Sequence, residues 1–91
     1  MIGTHTHVPT ADEQISEKGT AYITDAGMTG PYRSVIGTRY EDSLHRMVKG
    51  TPRALNVAKE DAALAAVFME LDDVSGRCSK IERLFLREDA L

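Results

Sequence analysis

Two runs of strand length, residues 63–71 and 77–86, flank the polar segment Asp72-Asp73-Val74-Ser75-Gly76, and that pattern reads as a β-hairpin. Alanine, leucine, methionine and glutamate are good helix formers, so propensity alone would make 63–71 a helix. The hairpin context favours the strand. A chain of 91 residues buries only about 60–65% of the surface its unfolded form exposes, so self-association would help it.

The remainder predicts one compact α/β unit over residues 1–91: a small, mostly antiparallel sheet with one or two short helices. Thr38 is followed three residues later by Glu41, the pattern of a capping box, and Tyr40, Leu44, Met47 and Val48 share one helical face. Residues 39–49 are therefore read as a helix, stopped by Gly50 and Pro52 and favoured by His45, Arg46 and Lys49 near its C-terminal end. Thr10 with Glu13 suggests a helical turn over 11–15. Residues 20–24 alternate and are β-prone, with Ala21 and Ile23 on the buried side. Residues 2–8 read as a strand end entering a loop, and 55–57 as a short strand. Gly27, Gly30 and Pro31 mark 25–32 as a shaped loop close to the histidines.

Composition narrows the function. With 42% hydrophobic and 27% charged residues the chain falls among soluble globular proteins. Its longest apolar stretch, 62–69, is far short of the roughly 20 residues that span a bilayer. The single cysteine, Cys78, forms no internal disulfide and reads as a small packing residue; a reducing cytoplasm is the expected location. Net charge is -3, yet Arg33, Arg39, Arg46, Lys49 and Arg53 outnumber Glu41 and Asp42 between positions 33 and 53. That excess either attracts a phosphate, through Arg33 or Arg39, or is a solvated helix face with ordinary salt pairs. A stable nucleic-acid complex is not expected.

His5 and His7 are the candidate metal-binding residues. On an extended segment residues two apart project to the same side, so both imidazoles could approach one metal or two adjacent ones. Taken alone, the same spacing is also common in exposed pairs. No HExxH, CxxC, P-loop or GxSxG pattern occurs, which leaves zinc-protease, zinc-ribbon, nucleotide-binding and serine-hydrolase chemistry without support. His45 reads as an exposed partner of the helix end.

The run Gly3-Thr4-His5-Thr6-His7-Val8-Pro9-Thr10-Ala11-Asp12-Glu13, followed by Gly19-Thr20-Ala21-Tyr22-Ile23-Thr24-Asp25-Ala26-Gly27-Met28-Thr29-Gly30-Pro31-Tyr32, resembles the YmdB-like family of bacterial metallophosphoesterases. The likeness continues through Ser34-Val35-Ile36-Gly37 and more weakly to Ser75-Gly76-Arg77, and corresponds to roughly the last third of the family. It implies part of a calcineurin-like α/β/β/α sandwich with a dinuclear metal centre that hydrolyses phosphodiesters, 2′,3′-cyclic nucleotides among them. His5 and His7 would be the final two metal ligands, with zinc or manganese as the ion. The family's other ligands, an aspartate, a glutamate, an asparagine and an earlier histidine, belong to a portion this sequence does not contain. Arg33 stands where the family often has aspartate.

The implied mechanism is attack by metal-activated water on a small phosphodiester, without a protein nucleophile. Because catalytic zinc normally has three protein ligands, a homodimer that brings two histidine pairs together is one way to complete the site, with Asp12, Glu13 or Asp25 as supporting carboxylates. The competing expectation is a non-catalytic truncated module that only self-associates.

Overall fold

A computed structural model describes residues 1–90. Two antiparallel sheets and one helix follow in chain order: β1 (Gln14–Ile15), β2 (Ala21–Tyr22), β3 (Gly30–Pro31), α1 (Tyr40–Lys49), β4 (Ala62–Leu71) and β5 (Cys78–Arg87), with a final 3-10 turn at Glu88–Ala90. β1 pairs with β2, and the larger sheet has the order β3-β4-β5. The predicted hairpin is its main feature: β4 and β5 run in register from Ala63 opposite Arg87 to Glu70 opposite Lys80, with a register shift before Leu71 meets Cys78. Asp72 closes the turn by accepting the Val74 and Ser75 backbone N–H groups on Oδ1, each at 2.8 Å. The strand reading of 63–71 therefore holds against helix propensity, since strand-strand pairing outweighs the modest propensity difference.

The interior is small. Ala21, Ile23, Ala58, Ala63, Ala65 and Cys78 are the buried apolar residues, and Ile23 is fully enclosed. Ala21 and Ile23 thus face inward as the alternation of 20–24 predicts. Residues 2–8 form no strand of their own; Ile2 makes a single parallel bridge to Ile23, fixed by the Gly3 N–H donating to the Ile23 carbonyl at 3.0 Å. At Gly3 a Cβ would lie 1.8 Å from the Thr24 carbonyl oxygen. Backbone cannot yield as a side-chain tip can, so Gly3→Ala is expected to destabilise the fold by about 3 kcal/mol, the upper end of ordinary overpacking costs. Chemical denaturation of the two proteins checks this.

Three local expectations are corrected. The turn predicted over 11–15 is not helical: Gln14–Ile15 is strand, the Thr10 hydroxyl donates to Asp12 Oδ1 at 2.6 Å, and Glu13 pairs with Arg83 at 2.9 Å. Both capping groups are thereby committed elsewhere. Around α1 the box of Thr38 and Glu41 does not form. Thr38 makes paired backbone hydrogen bonds with Val35, Arg39 occupies the N-cap position without a side-chain cap, and Glu41 lies 3.8 Å from Arg39. Residues 55–57 contribute only one bridge, Thr38 to Val57. Gly50 does end the helix as expected, at φ 66° with its N–H donating to the Arg46 carbonyl.

The orientation of α1 is the largest departure. Tyr40, Leu44, Met47 and Val48 are 47%, 52%, 76% and 72% exposed, whereas Asp42 on the opposite side is buried. Asp42 Oδ2 accepts the Asn56 backbone N–H and side-chain amide, both at 3.1 Å, and Arg53 Nε lies 2.9 Å from Oδ1. These partners, the Asn56 amide foremost, hold its carboxyl below the usual carboxylate range. The radius of gyration is 17.1 Å, against about 12 Å for a compact chain of this length. The molecule is elongated, 55 by 29 by 18 Å, and leaves much apolar surface uncovered.

Candidate functional site

The histidine loop is pinned at both ends by one neighbouring segment. Gly3 exchanges backbone hydrogen bonds with Ile23 and Ala26, and the Thr10 N–H donates to the Asp25 carbonyl at 3.1 Å. Residues 4–9 bulge between these anchors. Asp25 lies beneath the bulge, 1% exposed. Its Oδ2 accepts both the Thr6 backbone N–H at 2.8 Å and the Thr6 hydroxyl at 2.6 Å, while Oδ1 accepts the Gly27 N–H at 2.8 Å. The Thr6 hydroxyl bond, followed by the Gly27 N–H, holds the Asp25 carboxyl below its ordinary range. At Gly27, φ is 89° and a Cβ would come within 2.8 Å of Pro9, so glycine is required where the 25–32 loop crosses the histidine loop. That loop does sit against the histidine segment.

The segment is not extended. His5 has φ 109° and His7 φ 68°, conformations that L-residues rarely adopt, so simple alternation does not explain where the two imidazoles point. Backbone strain of this kind costs about 1–3 kcal/mol per residue and gathers at functional sites. His5 is exposed and His7 half-buried, and His7 Nδ1 is buried with no hydrogen-bond partner among the described residues. A buried ring nitrogen without a partner is an available donor atom for a ligand. Among the described residues no group of three or more His, Cys, Asp or Glu side chains could hold a metal ion. The three nearby carboxylates are engaged: Asp25 with Thr6, Asp12 with Thr10 and Thr24, and Glu13 with Arg83.

Asp12 supports the loop from its other side. Hydrogen bonds from the Thr10 and Thr24 hydroxyls lower its pKa to about 2. A depressed carboxylate adds stability above its unfolded pKa, near 3.9, and the gain disappears as pH falls through about 2. Wild-type protein should therefore lose stability across that window relative to Asp12→Asn, which has no charge to lose. Acid unfolding of both proteins, followed by circular dichroism, checks the difference.

Arg33 and Arg39 are brought together, but not with the histidines. They line a groove of about 550 Å³ with Tyr40, Asn56 and Lys59, and neither His5 nor His7 borders it. Arg33 pairs with Glu60 at 3.2 Å, and Arg39 approaches Glu41. His45 Nε2 is 3.0 Å from the Thr51 hydroxyl, which fits its reading as a partner at the helix end. Cys78 is buried, as a packing residue should be. Sequence reasoning missed Thr6, whose link to Asp25 spans 19 positions and leaves no local pattern. Lys59 and Asn56 were also missed, because they reach the groove through an irregular segment. Among the described residues no helix is long and apolar enough to cross a membrane.

The chain is similar in sequence and in fold to known proteins. The chain is 44% identical over 89 residues to a 2′,3′-cyclic-nucleotide 2′-phosphodiesterase of Bacillus subtilis (strain 168), covering 98% of this chain and 34% of that protein. A crystal structure described as a novel phosphatase of Mycoplasma pneumoniae superposes with a TM-score of 0.88 at 44% identity, covering 94% of this chain and 31% of the other. A hypothetical protein from Thermus thermophilus superposes with a TM-score of 0.86 at 40% identity, covering 96% and 34%. The chain thus spans about a third of the length of these relatives. The model of the family described as YmdB-like protein matches residues 1–84, and the chain belongs to that family.

Proposed function

We propose that this chain supplies His5 and His7 as two imidazole ligands to a divalent-metal centre, zinc or manganese, that hydrolyses small phosphodiesters, cyclic nucleotides among them. The observation that carries this reading is the His7 Nδ1 atom, buried and without a partner among the described residues, on a strained turn that Asp25 clamps. The activity for which the Bacillus subtilis relative is named supports the substrate class. A centre of this kind supplies Lewis-acid polarisation of a phosphoryl oxygen and a water whose pKa falls toward about 7. The chain's own part is positioning. Asp25 fixes Thr6, and Thr6 sets the backbone between the two histidines, so the segment that carries both imidazoles is held in place before any ligand arrives. Arg33, Arg39 and Lys59 outnumber Glu41 and Glu60 in the neighbouring groove, and a phosphate-bearing portion of the substrate that displaced those two carboxylates would meet three cations there.

Two histidines do not complete a catalytic centre, and the exposed apolar surface also suits a module that only associates. Metal-dependent turnover separates the two readings. Hydrolysis of a bis-aryl phosphodiester that requires zinc or manganese, stops on chelation and is absent from His5→Ala and His7→Ala supports the enzyme. Hydrolysis that survives chelation undiminished contradicts it, and bound metal without turnover favours the module.

A further inference from the structure

Helix α1 shows its apolar side to solvent and its acid to the interior. At 3.6 residues per turn, Asp42 lies diametrically opposite the stripe of Tyr40, Leu44, Met47 and Val48, so the buried Asp42 contacts fix the stripe outward. A groove of about 320 Å³ runs along one flank of the stripe, bordered by Leu44 and Val48, with Glu41 towards the start of the helix and Lys49 towards its end. The first turn carries Glu41 and Asp42, and the last carries Arg46 and Lys49.

This charge order identifies the partner. In an antiparallel pair of identical helices related by a two-fold axis, a flank keeps its side while its ends exchange. Glu41 then faces Lys49 of the second copy, and the contact occurs twice. The acidic N-terminal end also meets the basic C-terminal end, where the helix dipoles favour each arrangement. A parallel pair would set like charges together. We propose that α1 forms the centre of a symmetric homodimer, with the Leu44 and Val48 side chains of two copies packed into each other's flanking groove and Glu41-Lys49 pairs at both ends. The stripe residues are exposed, and two-fold closure is the commonest way to cover such a surface. The inference stands on the helix alone and is independent of the metal reading.

Sedimentation velocity on the purified protein at micromolar concentrations tests it. Wild type is expected to dimerise, and Leu44→Glu to be monomeric with unchanged helical circular dichroism. Glu41→Lys and Lys49→Glu should each weaken the dimer by about tenfold, because symmetry counts every lost pair twice and adds like-charge contacts. The double variant Glu41→Lys with Lys49→Glu should recover wild-type association. That recovery also separates the contact between copies from the contact of Glu41 with Arg39 within one chain. Wild type that stays monomeric overturns the proposal and leaves the face to a different polypeptide. A dimer that survives Leu44→Glu, or a charge swap without recovery, overturns it as well.

Discussion

Glycine in place of His7 is expected to raise the stability of this protein by about 1 kcal/mol while removing the divalent-metal affinity proposed for it. At φ 68° an L-residue carries a steric penalty that glycine does not, and the relief exceeds the entropy glycine loses on folding by a modest margin. His7 is the proposed ligand whose buried ring nitrogen has no partner among the described residues, so the loss of metal affinity should exceed the roughly 100-fold that removal of an outer-shell partner costs. His5→Gly, at φ 109°, should behave in the same direction. Thermal unfolding and metal titration of the variants read the two effects separately. A variant that gains stability and binds metal as before would show that the strain serves no metal site.

Asp25→Ala is expected to lower metal affinity by about 10- to 100-fold without touching a ligand, as removal of groups that orient metal-ligating side chains commonly does. Three donors lose their acceptor at once: the Thr6 N–H, the Thr6 hydroxyl and the Gly27 N–H. The hold on residues 4–9 then rests on the anchors at Gly3 and Thr10 alone, the Thr10 hydroxyl bonds to the Asp25 backbone among them. Asp25→Asn retains one acceptor oxygen and should recover part of the affinity. This graded rescue distinguishes positioning from direct ligation, where the amide would recover little. Equal losses in both variants, or none in either, would contradict the positioning role.

The hairpin was legible because two runs of strand length flank a polar turn segment, and pairing along β4 and β5 confirms it. Ala21 and Ile23 were legible from the alternation of residues 20–24. What could not be read was decided by contacts distant in sequence. Thr10 and Glu13 satisfy a local capping pattern, but Asp12, Asp25 and Arg83 claim them. The apolar stripe of α1 was visible, yet its direction was not, because periodicity gives a face and not what lies against it; Asn56 and Arg53 draw Asp42 inward instead. The histidine pair was legible as a candidate. Its support was only half so: Asp25 stood out as one of three acids close by, while Thr6, the residue that transmits its hold, carries no signal in sequence.

The chain has three histidines, and that number allows a direct test of the metal reading. In purified, chelator-washed protein labelled at its imidazoles, zinc is added while the ring signals are followed by nuclear magnetic resonance. His45, engaged with Thr51 at the far end of α1, is the internal reference. The account predicts that the His5 and His7 signals change together, that chelator reverses the change, and that His45 does not move. Unchanged His5 and His7 signals at saturating zinc, or a response confined to His45, would contradict it.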